Sequence, residues 1–253
     1  MGRLPTARPA SWYRVFVPRP NATLRLVCFP QAGGGASVFH GWAARLPESV
    51  EVVAVQYPGR QDRSHEEPIS DFELLADAAV AELGPLFDRP VALFGHSLGG
   101  TVAFEVARRL RPRFPTPLAR LIVSARKPPT DCATNGYDFT RDDDLRRYLA
   151  RLGEGAGLLL RDRELWQLLV PPLRADLLMS QRYRYAEGAP LTCPISLIAA
   201  RDDRTCTIED MRAWSGRTIG AVDEHVIPGD HYYVADPPDE LFTILANATD
   251  RPR

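Results

Sequence analysis

Short apolar runs separated by turns organise this chain. The runs Thr23–Phe29 (TLRLVCF), Val50–Gln56 (VEVVAVQ), Pro90–Phe94 (PVALF), Leu118–Ser124 (LARLIVS), Pro194–Ala200 (PISLIAA) and Glu224–Ile227 (EHVI) are rich in Val, Leu and Ile. They lack strict apolar–polar alternation, so they read as strands buried on both faces of a parallel sheet. Between them the apolar positions fall at helical spacing in Ser37–Leu46, Ile69–Phe87, Gly99–Leu110, Ile208–Thr218 and Pro238–Ala248. Asp71 is suited to cap the second of these. Strand–helix alternation of this kind predicts an α/β fold, an open and mostly parallel sheet with helices on both faces.

One interval breaks the rhythm. From Pro128 to Pro190 the pattern holds no strand. Asp142–Leu152 and Arg163–Tyr185 read as helices, separated by the Gly-rich stretch 153–157. A helical insertion between two sheet strands sits over the carboxyl edge of the sheet, where α/β proteins bind ligands. The expectation is one domain, 1–253, with a mobile helical lid at about 128–190. The lid's apolar residues, Leu158–Leu160, Trp166, Leu168, Leu169 and Leu177–Met179, either line a pocket or pack the lid down.

Composition narrows the function classes. Among 253 residues, 31 basic side chains against 32 acidic ones give a net charge of −1, so no basic field exists to hold nucleic acid or an anionic membrane. The start, MGRLPTARPASWYRVF, has no apolar signal core, and no stretch reaches the ~18 apolar residues of a membrane span. Cys28, Cys132, Cys193 and Cys206 show neither CxxC nor Cys/His ligand spacing. Zinc and a disulfide framework are therefore not expected, and Cys28 and Cys193 read as small buried thiols. A cytoplasmic, reduced protein is the expectation.

The strongest chemical signal is Gly95-His96-Ser97-Leu98-Gly99-Gly100, a GxSxG motif directly after a predicted strand and directly before a predicted helix. A strand turning sharply into a helix holds the serine in a strained conformation with its hydroxyl free at the sheet edge. The helix start adds unpaired N–H groups and positive potential. A serine hydroxyl needs a base, and the base needs an orienting carboxylate, in the chain order Ser, acid, His. Of five histidines, His225 and His231 follow the serine at a distance. His225 falls inside a strand, whereas His231 lies in the turn PGDHYY (228–233), and His231 is the predicted base. His96 is too near Ser97 in sequence to serve and reads as a packing or supporting residue. The acid comes from the Asp202–Asp203 pair after the preceding strand. Asp203, further out, is better placed to reach the His loop; Asp202 is the alternative. Oxyanion stabilisation requires the N–H of Leu98 and a second from the turn FPQAGGG (29–35). That turn lacks the G-K-[ST] ending and the GxGxxG spacing, so it does not predict a nucleotide site.

With these residues in view the chain resembles the type II thioesterases that accompany polyketide synthases and nonribosomal peptide synthetases, discrete members of the α/β-hydrolase superfamily. The resemblance rests on RLVCFPQAGGGASVF (25–39), VQYPGRQDR (55–63), PVALFGHSLGG (90–100), PPLRADLLMSQRY (171–183), ARDDRTC (200–206) and PGDHYYV (228–234). It implies an α/β-hydrolase fold, the triad Ser97, Asp203 and His231, and oxyanion donors Ala32 and Leu98. Gln31 stands where the family often has His or an aromatic, which leaves Gln31 or Ala32 as the second donor. Ala200 stands where Gly usually opens the acid turn. The resemblance implies hydrolysis of acyl groups from the phosphopantetheine arm of acyl or peptidyl carrier proteins, clearing stalled or mis-primed chains, with no cofactor of its own. The competing readings are a carboxylesterase or lipase on small esters, a catalytically silent binding module, and a product-cyclising terminal thioesterase. The absence of a carrier-domain remnant disfavours the last.

Overall fold

The computed structural model describes residues 12–110, 118–131, 136–153 and 157–249. Cys132, the centre of the Gly-rich stretch and the side chains of Leu158 and Leu159 lie outside what is described. Seven strands form one sheet: β1 (Tyr13–Arg14), β2 (Leu24–Phe29), β3 (Val50–Val55), β4 (Val91–His96), β5 (Leu118–Ser124), β6 (Ile195–Ala200) and β7 (Val222–Ile227). Their order is β1-β3-β2-β4-β5-β6-β7, with β1 antiparallel to β3 and every other pair parallel. The helices are α1 (Phe72–Leu83), α2 (Leu98–Leu110), α3 (Asp142–Leu152), α4 (Gly157–Arg161), α5 (Arg163–Arg182), α6 (Ile208–Met211) and α7 (Asp239–Thr249).

The pleat divides the central strands between two cores, which is why their sequences are apolar throughout. Val27, Phe29, Leu93, Leu121, Val123 and Leu197 face α1 and α2, while Leu26, Cys28, Ala92, Phe94, Ile122 and Ile198 face Phe39, Trp42 and α7. Each of the six expected strands is present, with ends moved by two residues or fewer. Strand β1 was not expected. Tyr-Arg carries no apolar run, and only the free edge of β3 makes it a strand.

The helices follow expectation with two corrections. Asp71 caps α1 by accepting from Leu74 N at 2.9 Å. The expected helix Ser37–Leu46 is instead two short 3₁₀ turns, Ala36–Phe39 and Trp42–Arg45. Gly41 between them takes φ +89°, which ends one turn and redirects the next. Ile208–Thr218 is helical only to Met211 and continues as a 3₁₀ segment.

The interval from Pro128 to Pro190 holds α3, α4 and α5 and no strand among its described residues. Helix α5 runs through Pro171 and Pro172, whose missing N–H groups weaken its middle without ending it. Phe139, Leu145, Leu149, Leu152, Trp166, Val170, Leu173 and Leu177 form a third, smaller core. Trp166 and Leu177 thus pack the insertion together. Met179 joins the sheet core, while Leu168 and Leu169 are exposed. The free thiols of Cys28, Cys193 and Cys206 are buried.

Candidate active site

The turn from β4 into α2 carries Ser97 at φ +53°, a region that costs a side-chain-bearing residue about 1–2 kcal/mol. The neighbouring glycines allow the turn. A Cβ at Gly95 would lie 2.2 Å from the Gly99 carbonyl oxygen, and one at Gly99 would lie 2.1 Å from the Phe29 carbonyl oxygen. Any larger residue at either position would separate β4, α2 and the loop after β2. The turn is fastened by Ser97 N–H donating to the Ser124 carbonyl at 2.8 Å.

His231 lies in the loop after β7, and its Nε2 is 3.0 Å from Ser97 Oγ. Its Nδ1 is 2.6 Å from Asp203 Oδ2, in the loop after β6. An ionised carboxylate only accepts, so Nδ1 carries the proton and Nε2 is free to take one from Ser97. His231 is 5% exposed and Asp203 4%, so the ion–dipole contact is largely dry, whereas Ser97 stays half-buried and reachable. The other carboxylate oxygen of Asp203 accepts from Thr205 N at 2.7 Å, Thr205 Oγ1 at 2.6 Å and Cys206 N at 3.3 Å. Burial pushes the Asp203 carboxyl up. The hydrogen bonds from His231 and Thr205 outweigh it and hold the group below the usual carboxylate range. Asp202 is exposed and contributes its backbone N–H to the Gly229 carbonyl at 3.0 Å. In this pair Asp203 turns inward to His231 and Asp202 turns outward. His225 sits on β7 against Asp223, outside this group.

The two candidate oxyanion donors lie on adjoining elements. Leu98 is the first residue of α2, and Ala32 lies in the loop after β2, whose Phe29 carbonyl approaches Gly99. Among the described residues, neither N–H has a protein acceptor, whereas Gly33 N–H donates to Asp176 and Gly34 N–H to the Gln31 carbonyl. The Gln31 side chain carries a donor and an acceptor, and its Oε1 is buried without a hydrogen-bond partner among the described residues.

His96 has a role that its sequence position alone did not define. It is fully buried, with Nε2 2.9 Å from the His231 carbonyl and Nδ1 2.6 Å from Ser124 Oγ. A carbonyl only accepts, so Nε2 donates to it and Nδ1 accepts from the Ser124 hydroxyl. Ser124 Oγ in turn is hydrogen-bonded by the Tyr233 hydroxyl. This chain ties the His231 backbone to β5. Burial, then the neighbouring His231, lowers the His96 pKa from 6.5 to about 3. Below pH 6.5 the unfolded chain therefore binds a proton that the folded one refuses. The associated stability is fully present above pH 6.5 and is lost as pH falls toward 3, at up to ~1.4 kcal/mol per pH unit. We expect His96→Asn to be less stable at pH 7 but to lose less than the parent between pH 7 and pH 5. Denaturant midpoints at the two pH values measure this, and parallel losses would contradict it.

A family model described as a thioesterase domain matches residues 24–249. The chain belongs to the thioesterase family. This thioesterase is 33% identical over 225 residues to the gramicidin S biosynthesis protein GrsT of Aneurinibacillus migulanus, covering 88% of each chain. It is 38% identical over 229 residues to the thioesterase PikA5 of Streptomyces venezuelae, covering 89% of this chain and 80% of that one. The structure superposes on the type II thioesterase BorB of the borrelidin biosynthetic cluster with a TM-score of 0.85 and 38% identity, over 95% of this chain and 99% of that one. The thioesterase has the α/β-hydrolase fold that the sequence led us to expect.

Sequence reasoning missed one pair beside the site. Arg60, in the loop after β3, and Asp176, on α5, form a buried ion pair with Nη1–Oδ2 of 2.5 Å and Nη2–Oδ1 of 3.0 Å. The available signal was an acidic residue on the buried stripe of α5, between Leu173 and Leu177.

Proposed function

We propose that the protein hydrolyses acyl thioesters carried on the phosphopantetheine arm of acyl or peptidyl carrier proteins, removing stalled or mis-primed chains from a modular polyketide or nonribosomal peptide synthase. The observation that carries this reading is the continuous hydrogen-bonded path Ser97–His231–Asp203 within a chain of the thioesterase family. In this mechanism His231 Nε2 takes the Ser97 proton as Oγ attacks the thioester carbonyl carbon. The Ala32 and Leu98 N–H groups receive the developing oxyanion. Collapse breaks the C–S bond, and the pantetheine sulfur leaves with the proton from His231. Water, deprotonated by the same histidine, then attacks the Ser97 ester and releases the free acid. A thiol is a better leaving group than an alcohol, so the path needs no metal to polarise the carbonyl.

The names of the relatives support the pathway assignment: gramicidin S biosynthesis for one and the borrelidin cluster for another. No helix among the described residues is long and apolar enough to cross a membrane, in keeping with the cytoplasmic location that we infer for synthase and thioesterase alike. The assay compares an acyl-carrier thioester with an oxygen ester of the same acyl group. A kcat/KM at least tenfold higher on the carrier thioester is expected; preference for the free ester would make the protein a carboxylesterase.

The residues 128–190 act in this proposal as a lid that closes over Ser97, and α3 and α4 are its moving part. They pack on the small third core rather than on the sheet, so opening them breaks no strand pairing. Amide exchange should be fast in α3 and α4 and slow when a phosphonate occupies Ser97, with β4, β5 and the Asp176–Arg182 end of α5 slow throughout. Slow exchange across the whole interval in the free protein would make it a fixed wall.

A further inference from the structure

We propose that Asp176, paired with Arg60, is a positioning residue for the oxyanion site: from helix α5 it fixes the loop that carries the Ala32 N–H by accepting the adjacent Gly33 N–H. The proposal rests on the catalytic reading above, with Ala32 as an oxyanion donor.

Four observations converge on it. The carboxylate of Asp176 is 2% exposed and Arg60 is 5% exposed, so the pair is out of water. Asp176 Oδ2 accepts from Gly33 N at 2.8 Å while the guanidinium holds both carboxylate oxygens. The rest of the loop is similarly fastened. Gly34 N–H donates to the Gln31 carbonyl at 2.9 Å, and Ala36 N–H donates to Gln56 Oε1 at 2.7 Å. Gln56 Nε2 in turn donates to the Arg60 carbonyl at 2.9 Å. Finally, α5 lies directly on the loop. Gly33 has φ +71°, and a Cβ there would stand 2.9 Å from Leu173 Cβ. The Gly33, Gly34 and Ala36 N–H groups are thus committed to fixed acceptors, while the Ala32 N–H is left for a substrate oxygen.

The ion pair also explains why the acceptor is a carboxylate with its own counter-ion. An apolar pair of the same volume would pack the interface as well, because a buried salt bridge adds little net stability. What the forked guanidinium–carboxylate contact adds is a fixed orientation of the accepting oxygen. A bare carboxylate beside a developing oxyanion would raise its energy, and Arg60 cancels that charge. The end of α5 that carries Asp176 is accordingly part of the frame of the site and not of its moving cover.

The test measures kcat and KM separately on an acyl-carrier thioester for Asp176→Ala, Asp176→Asn and Arg60→Gln, with unfolding midpoints for each. Asp176→Ala and Asp176→Asn both break the ion pair and should lower the midpoint alike. Only Asn still offers an oxygen to Gly33. We expect Asp176→Ala to lower kcat about 10- to 100-fold with KM within about twofold, and Asp176→Asn to recover most of that loss. Arg60→Gln, which keeps the Gly33 contact but uncovers the carboxylate, should also lower kcat at unchanged KM. If Asp176→Ala does not fold, Arg60→Gln carries the test, and a wild-type kcat in it overturns the proposal. Equal kcat in Asn and Ala variants overturns it too, since the residue is then only structural. A Ser97→Ala control separates the two readings. Activity in that control removes the catalytic assignment and this proposal together, whereas an inactive control with an unaffected Asp176→Ala removes this proposal alone.

Discussion

Ser97→Ala should lower kcat on an acyl-carrier thioester by about 10⁵–10⁶-fold while leaving the unfolding midpoint within a degree or so of the parent. The Ser97 hydroxyl is half-buried and faces the base rather than the core, so its removal opens no cavity. The φ of +53° is as costly for Ala as for Ser, and the Ser97 N–H still reaches the Ser124 carbonyl. What remains is binding and the oxyanion donors, which give only weak catalysis without a nucleophile. A variant keeping a tenth of the parental kcat would remove Ser97 from the mechanism. Matched unfolding curves are needed to exclude loss through misfolding.

Asp203→Asn should cost about 10⁴-fold in kcat, and Asp202→Asn should leave it close to the parental value. The asymmetry follows from hydrogen-bond direction. Asp203 Oδ2 accepts from His231 Nδ1, and its other oxygen accepts from two backbone N–H groups and the Thr205 hydroxyl. Those three donors keep the amide oxygen of an Asn on their side, which turns its NH₂ toward His231. Two donors then face each other unless the imidazole moves its proton to Nε2, the atom that must accept from Ser97. Asp202 points to solvent, and its contact with Gly229 is made by the backbone, which the substitution keeps. A crippling Asp202→Asn with a mild Asp203→Asn would reverse the assignment of the orienting acid.

What could be read from the sequence was what is local along the chain. The central strands are buried on both faces, so each appears as an apolar run. Ser97 is recognisable because strand, turn and helix are consecutive. Asp203 and His231 follow from the rule that each partner sits on the loop after its own strand. Tyr13–Arg14 was invisible because it is a strand only by virtue of the β3 edge. The 3₁₀ turns at Ala36–Arg45 read as one helix because their apolar spacing is helical, and the positive φ of Gly41 is a backbone fact that spacing does not encode. The Arg60–Asp176 pair spans 116 positions and the His96–His231 contact 135, so each is created by the packing of separate elements. The apolar residues of the 128–190 interval could not be divided between pocket and packing for the same reason. The third core decides it for Trp166 and Leu177, which pack.

The central claim is that acyl transfer from the carrier passes through Ser97. The most direct measurement mixes the protein with an acyl-carrier thioester, quenches on the millisecond scale, digests, and weighs the peptides. The account predicts that the peptide holding Gly95-His96-Ser97-Leu98 gains the mass of the acyl group early, in step with release of the carrier thiol, and loses it as free acid appears. Thiol release with that peptide unmodified, or with the acyl group on another residue, would contradict it.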